Sequence, residues 1–358
     1  MRDLDACVQR IFPGAVIDEV RVLGADEAPS DATRKGTGYG VPLRIRLRDV
    51  RGRQHTLVCH TARVDDFGHD RRADRAQQML LAYDTFGRVP RHVPAIDVGV
   101  IAADGSMRSI SDAGELYLIT GWAEGELYAA DLRRIAAQRA TAPADLDRVD
   151  RLVDYLVELH RERGQRPEVY ARAVRDLVGS GEGVFGMVDG YPSDVEAAPQ
   201  DRLRRIEERC LTWRWRLRDR RHRLARTHGD FHPFNIVFDR DGSLALLDAS
   251  RGCAGDPADD LTALAVNYVF FALEAPGAWR GGLGGLWHRC WQRYVDATGD
   301  RELLEVAAPW LAWRALVVAN PRWYPGLSAR GRDALLAWVE RVLDAPALDP
   351  ASADGVAP

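Results

Sequence analysis

Lysine is almost missing: Lys35 is the only one among the 49 lysines and arginines of the 358-residue chain. Any ammonium needed at a fixed place has that single candidate. Cysteine is also scarce. Cys7, Cys59, Cys210, Cys253 and Cys290 are scattered and form no CxxC pair. This excludes a disulfide framework or a zinc site and fits buried, reduced thiols in the cytoplasm. There is no basic excess: the formal net charge is -4, against the large positive balance of a dedicated nucleic-acid binder. No apolar run approaches the roughly 18 residues that a membrane span needs. The opening MRDLDACVQRIF is charged and has no apolar stretch of the signal-peptide kind, so no signal peptide is expected. What remains, 46% hydrophobic and 28% charged, is an ordinary globular composition, long enough for about two compact units.

The first third reads as short strands with one helix. β-like runs span 15–23, 41–47 and 54–61, with a hairpin turn at Asp49 to Arg53. Between the first two runs lies Lys35-Gly36-Thr37-Gly38-Tyr39-Gly40, a glycine-rich turn. Helical spacing covers 70–85, and further strands are expected at 95–101, 108–111 and 115–120. Beyond Gly121-Trp122-Ala123-Glu124-Gly125 the pattern turns helical: 127–137, 144–163, 200–218, 258–273, 283–298, 302–319 and 329–343. A loop-strand-turn-strand block at 227–248 interrupts the helices. The tail from Ala345, rich in proline, alanine and aspartate, is expected to be disordered. No internal repeat is visible. The fold class is therefore α+β: a β-rich lobe over 1–121, a connector at 122–125, a helical lobe over 126–345 and a tail at 346–358.

The most informative stretch is His228-Gly229-Asp230-Phe231-His232-Pro233-Phe234-Asn235, with Asp248 beyond it. Asp230 and Asn235 share a loop containing glycine and proline. A short apolar strand, the Asp239-Arg240-Asp241-Gly242 turn and a second strand return the chain to Asp248. Two carboxylates and a carboxamide thus converge. Such oxygen donors suit a hard cation like Mg²⁺, with one carboxylate left as a base.

This pattern resembles the aminoglycoside phosphotransferase and choline kinase-like family, relatives of the protein kinases. The chain matches HGD-x-H-x-x-N at His228, Gly229, Asp230, His232 and Asn235. A second family signature reads here Gly255-Asp256-Pro257-Ala258-Asp259-Asp260-Leu261. The resemblance implies a two-lobed, protein-kinase-like fold and a small-molecule kinase using ATP and Mg²⁺. Its partner would be a small hydroxyl-bearing substrate, with no nucleic acid and no membrane, in the cytoplasm. It implies that Asp230 accepts or orients the hydroxyl proton, that Asn235 and Asp248 hold the metal, and that His228 and His232 brace the loop. Asp260 would cap a helix or anchor the loop. Gly121, Trp122 and Ala123 would lie in the hinge that reads the adenine, and Gly36, Gly38 and Gly40 would cover the phosphates.

One position departs from the family. Its third strand carries a phosphate-contacting lysine, paired with a glutamate on the next helix. Here His60 stands in the lysine's place, and the helix offers Asp70 and Asp74. His60 and Lys35 are the two candidates for the replacement cation. Loss of transfer, leaving a nucleotide-binding module, is the alternative reading. The arginine-dense stretch 202–226, with Glu207, Glu208 and Asp219 among the arginines, reads as a solvated helix rather than an anion-binding patch. Trp213, Trp215, Trp310 and Trp313 read as core or groove lining, and His160 as a packed helix residue.

Overall fold

The computed structural model describes residues 3–23, 42–65, 68–249 and 251–357. The chain divides into two compact units, 1–120 and 121–358.

In the first unit, β1 (Val16–Val22), β2 (Leu43–Arg48) and β3 (Gln54–Cys59) form an antiparallel sheet in the order β1-β2-β3. Their period-2 patterning turns Ile45 and Leu47, with Leu57 and Cys59 beside them, toward one face. Val8 from α1 (Leu4–Ile11) closes that face. The charged opening segment is therefore a helix. Leu4, Val8 and Ile11, at helical spacing, carried that signal. The expected hairpin turn forms, with Asp49 N–H donating to Arg53 O at 2.9 Å. α2 (Arg72–Phe86) follows, then a two-stranded ribbon of β4 (Gly99–Ile101) and β5 (Met107–Ser109). The strand expected at 115–120 does not form. Among the described residues this segment finds no ladder partner, and Leu116, Tyr117, Leu118 and Ile119 are exposed. A β-like run becomes a strand only where a second strand satisfies its backbone.

The second unit opens with β6 (Glu126–Leu127), which pairs with β7 (Ile236–Phe238). β7 pairs in turn with β8 (Leu244–Leu246). Gly125 has φ +132°, and a Cβ there would lie 2.3 Å from Phe238 O, so glycine lets the two chains meet. The helices are α3 (Tyr128–Gln138), α4 (Pro143–Arg161), α5 (Pro167–Gly179), α6 (Val184–Asp189), α7 (Gln200–Leu217), α8 (Pro257–Glu274), α9 (Gly284–Thr298), α10 (Glu302–Ala319) and α11 (Ala329–Asp344). α5 and α6 were not anticipated from the sequence. α8 is buried continuously from Pro257 to Ala272, as an all-round apolar helix must be, and α10 packs along it. α4 and α9 are laced by Asp150–Arg289 and Asp154–Arg293 pairs.

Several expectations are settled here. Trp213, Trp310 and Trp313 are buried, whereas Trp215 is exposed. Many of the α7 arginines are paired, but chiefly with acids from other elements: Arg202 with Asp333 and Glu340, and Arg209 with Asp344. All five cysteines are free, but only Cys210 and Cys290 are buried and Cys253 is exposed, so the expectation of uniformly buried thiols is corrected. The tail is not disordered. Leu348, Ala353, Val356 and Ala357 are buried, and 350–355 form a 3₁₀ turn capped by Asp349. Three indole N–H groups draw it in: Trp287 donates to Pro350 O, Trp338 to Ser352 Oγ and Trp279 to Asp354 Oδ1. Proline and aspartate read as disorder signals, but here they start and cap a turn. No helix among the described residues is long and apolar enough to cross a membrane.

Candidate active site

The loop 228–235 is held by the two elements that follow it. Asp260, on the first turn of α8, accepts from the backbone N–H of His228 and of Gly229, each at 2.7 Å. The carboxylate also meets His160 Nε2 at 3.1 Å, and His160 Nδ1 meets the Tyr294 hydroxyl at 2.8 Å. Asp260 thus ties the loop down. The α8 cap is Asp256, which accepts from Ala258 N–H at 2.9 Å and takes a two-pronged ion pair from buried Arg223. Gly229 has φ +83°, a turn that favours glycine, and a Cβ there would press on Arg251 Cβ and Gly252 O at 3.2 Å. Phe231 is fully buried and stacks on Tyr155 of α4.

Around Asp230 the polar contacts are dense. Its N–H donates to His228 Nδ1 at 3.2 Å, and Asn235 Nδ2 donates to its backbone carbonyl at 3.1 Å. Arg314 of α10 donates to Asp230 Oδ1 at 2.5 Å, to Gly229 O at 2.8 Å and to Asp259 Oδ1 at 2.6 Å. His232 Nε2 lies 3.5 Å from Asp230 Oδ2, and Arg251 Nε lies 3.9 Å from Oδ1. Burial pushes the Asp230 carboxyl up. The His232 contact and the charges of Arg314 and Arg251 outweigh it and hold the carboxyl well below the usual range.

The hairpin brings the next carboxylate back. Ile236 pairs with Leu246, and Leu247 N–H donates to Asn235 O at 2.9 Å, so Asp248 follows directly beside Asn235. Asp248 has φ +54°, an uncommon backbone for aspartate, and its exposed carboxylate has no ion-pair partner among the described residues. The Asn235 amide nitrogen is spent on Asp230 O, which leaves its side-chain oxygen as the free donor. One carboxylate and one amide oxygen fit a hard cation completed by other oxygens. Among the described residues no cluster of three His, Cys, Asp or Glu side chains could hold a metal alone.

A cavity of about 410 Å³ lies against Trp213 and Arg220 and is lined by no residue of the loop. A cavity of about 300 Å³ opens at Phe234, walled by Phe270, Phe271, Trp323 and Tyr324, with Arg133 and Glu274 also lining it. Burial raises the Tyr324 hydroxyl, the Asp230 and Glu274 carboxylates add to the rise, and Arg314 opposes it.

The remaining sequence candidates lie elsewhere in the chain. Gly121, Trp122 and Ala123 lie in a stretch without regular secondary structure just before β6, with Trp122 exposed. His60 follows the last residue of β3 and is exposed. Asp74 accepts from the Arg71 N–H at 2.8 Å at the start of α2. Lys35, Gly36, Gly38 and Gly40 lie outside the described residues. Arg314, Asp259 and Arg251 escaped the sequence reading. Arg314 had a signal: it is the one charge in the otherwise uncharged run 306–320, and a buried arginine requires a buried acid.

The model of the phosphotransferase enzyme family (APH) matches residues 71–295, well over half the chain, including the loop 228–235, Asp248 and the start of α8. The chain belongs to that family. Its architecture is accordingly the α+β, protein-kinase-like one, with a small sheet-bearing N-terminal lobe and a larger helical C-terminal lobe, as the sequence resemblance implied. The chain is a phosphotransferase, and membership in this APH family implies ATP as donor. Among solved structures it is similar to an amicoumacin kinase (14% identity, covering 96% of this chain and 93% of that one, TM-score 0.39). It is also similar to a glucosamine kinase (13%, 94% and 91%, TM-score 0.40) and to an ethanolamine kinase from Plasmodium vivax (11%, 92% and 83%, TM-score 0.31). Comparison with curated proteins gives no match.

Proposed function

We propose that this phosphotransferase moves the γ-phosphoryl group of ATP to a hydroxyl of a small molecule seated in the Phe234 cavity. The observation that carries the reading is the convergence of Asp230, Asn235 and Asp248 on one anchored loop and hairpin. Asp230 receives the hydroxyl. The acceptor oxygen bonds to the γ-phosphorus as the bond to the β–γ bridging oxygen breaks, ADP leaves, and the hydroxyl proton passes to the Asp230 carboxylate. A carboxyl held at low pKa is a weak base, so its work is to orient the hydroxyl and take the proton late, as a loose phosphoryl-transfer transition state allows. Asn235 and Asp248 would hold Mg²⁺, which when bound neutralises charge on the phosphates. His228 and His232 shape the loop through backbone contacts.

The cavity points to the acceptor class. Its walls are mainly aromatic, and its charged residues are one arginine and one glutamate. A polycationic aminoglycoside calls for an acidic pocket. This one suits a compact acceptor with an apolar face and little net charge. Lys35 with Gly36, Gly38 and Gly40, together with His60, all from the first unit, would serve the phosphates, and Gly121, Trp122 and Ala123, at the start of the second, the adenine. The free thiols fit a cytoplasmic setting.

The test is ADP release over a panel of neutral apolar alcohols, amino-alcohols, nucleosides and aminoglycosides. Turnover with the compact, weakly charged members supports the reading. Turnover with aminoglycosides alone contradicts the acceptor class. Tight ATP binding with no turnover on any member would favour a nucleotide-binding module.

A further inference from the structure

Arg314 sits on α10, far in sequence from every motif residue, yet both terminal nitrogens of its guanidinium are engaged at the loop, while its Nε is buried without a partner among the described residues. Arg314 is buried and stacks on Trp313, 3.9 Å from the ring centre. Trp313 is itself pinned through its indole N–H to Glu182 O at 2.9 Å. One nitrogen of Arg314 grips Asp230 Oδ1; the other bridges Gly229 O and Asp259 Oδ1. Asp259 precedes Asp260, whose carboxylate accepts from the backbone N–H of His228 and of Gly229 in the two preceding peptides. The loop is therefore clasped from both faces: Asp260 takes its donors and Arg314 takes its acceptors.

We propose that Arg314 is a positioning residue for transfer: by occupying Asp230 Oδ1 and the Gly229 carbonyl, it leaves Asp230 Oδ2 as the oxygen offered to the acceptor hydroxyl. The proposal rests on the phosphotransferase reading above. Three observations carry it. On the Oδ2 side stands His232, whose Nε2 is 3.5 Å away: close enough to favour the charged carboxylate, but longer than the hydrogen bond that Arg314 makes to Oδ1. Among the described residues the other arginine facing Asp230, Arg251, stands 3.9 Å off on the Oδ1 side, and its Nε is buried without an acceptor among those residues. And a buried arginine is costly to desolvate unless its partners are fixed, so a guanidinium retained amid an apolar helix is fixed to something specific. A planar fork spans three acceptors in fixed directions, which an ammonium does not.

Two readouts on Arg314→Lys and Arg314→Ala decide the matter. The first is steady-state kinetics on any acceptor from the panel, or on water. Because a misplacement of about 1 Å costs on the order of 10²-fold, kcat should fall roughly 10- to 100-fold, with KM for ATP changed less than about twofold. Methylguanidinium should restore part of kcat to the alanine variant and none to the lysine variant. The second needs no turnover: amide hydrogen exchange across 227–235 should rise in Arg314→Lys while α4 and α9 keep their protection. Unchanged loop exchange overturns the proposal, as does a lysine variant with wild-type kcat. If the alanine variant does not fold, the lysine variant carries both readouts. A wild-type chain that turns over nothing contradicts the phosphotransferase reading instead, and the exchange measurement still decides whether Arg314 holds the loop.

Discussion

Asp259 shows how a single residue at this site reports on pH. Burial pushes its carboxyl up to about 6; Arg314 pulls it down, and neighbouring Asp260 adds to the rise. In the unfolded chain an aspartate titrates near 3.9. Between those values the folded chain binds the extra proton, so this contribution to stability is present below about pH 4 and is lost as pH rises through about 6. Asp259→Asn does not titrate. The melting temperature of the wild type, relative to Asp259→Asn, should therefore fall between pH 5 and pH 7, and a difference independent of pH would contradict the assignment. At Asp248 the expected effect is on metal. Asp248→Ala should abolish the Mg²⁺-dependent part of ATP binding in calorimetry, whereas Mg²⁺-ATP binding at wild-type strength would remove it from the metal site. Residues of this kind were legible in the sequence, because Asp230, Asn235 and Asp248 stand in a spaced pattern. Arg314 and Asp259 were not, because their roles come from a contact between α8 and α10, 55 residues apart in the chain.

Among elements, α8 matters most, since its cap supplies Asp256 and its first turn Asp259 and Asp260. Asp260→Ala would leave two buried backbone N–H groups without an acceptor, at about 1–3 kcal/mol each. We expect a loss of roughly 3 kcal/mol or more in urea unfolding, and a drop in kcat larger than stability explains. Unfolding at wild-type urea concentrations would show that the loop is held by something else. The sequence anticipated most helices within a few residues because their apolar periodicity is strong. It missed α1, α5 and α6, and it placed a strand at 115–120, where hydrophobicity is high but no described strand offers a ladder. In the first unit, His60 follows β3 at the parity of exposed Thr56 and Val58. If it replaces the strand lysine, His60→Ala should weaken ATP about tenfold or more while Lys35→Ala does not, and the reverse ranking would move the cation to the glycine-rich turn.

At the scale of the whole molecule, the C-terminal segment closes the helical unit. Truncation after Ala345 would strip the partners from three indole N–H groups and expose Leu348 and Val356. The cost should be several kcal/mol, roughly 3–6 from the lost hydrogen bonds alone. Calorimetry should show a fall of about 10 °C or more in the melting temperature. An unchanged melting temperature would mean that the tail is dispensable. Composition hid this element, because docking against tryptophans is a tertiary event that a proline- and alanine-rich stretch does not announce. The family assignment, the anchored loop and the aromatic cavity together make one claim: this chain transfers phosphoryl groups, and Asp230 orients the acceptor. The most direct test is kcat for Asp230→Asn, with ATP affinity measured on the same preparation. The account predicts a fall of roughly 10²- to 10⁴-fold at unchanged ATP affinity and unchanged melting temperature; near-normal turnover in the folded variant would contradict it.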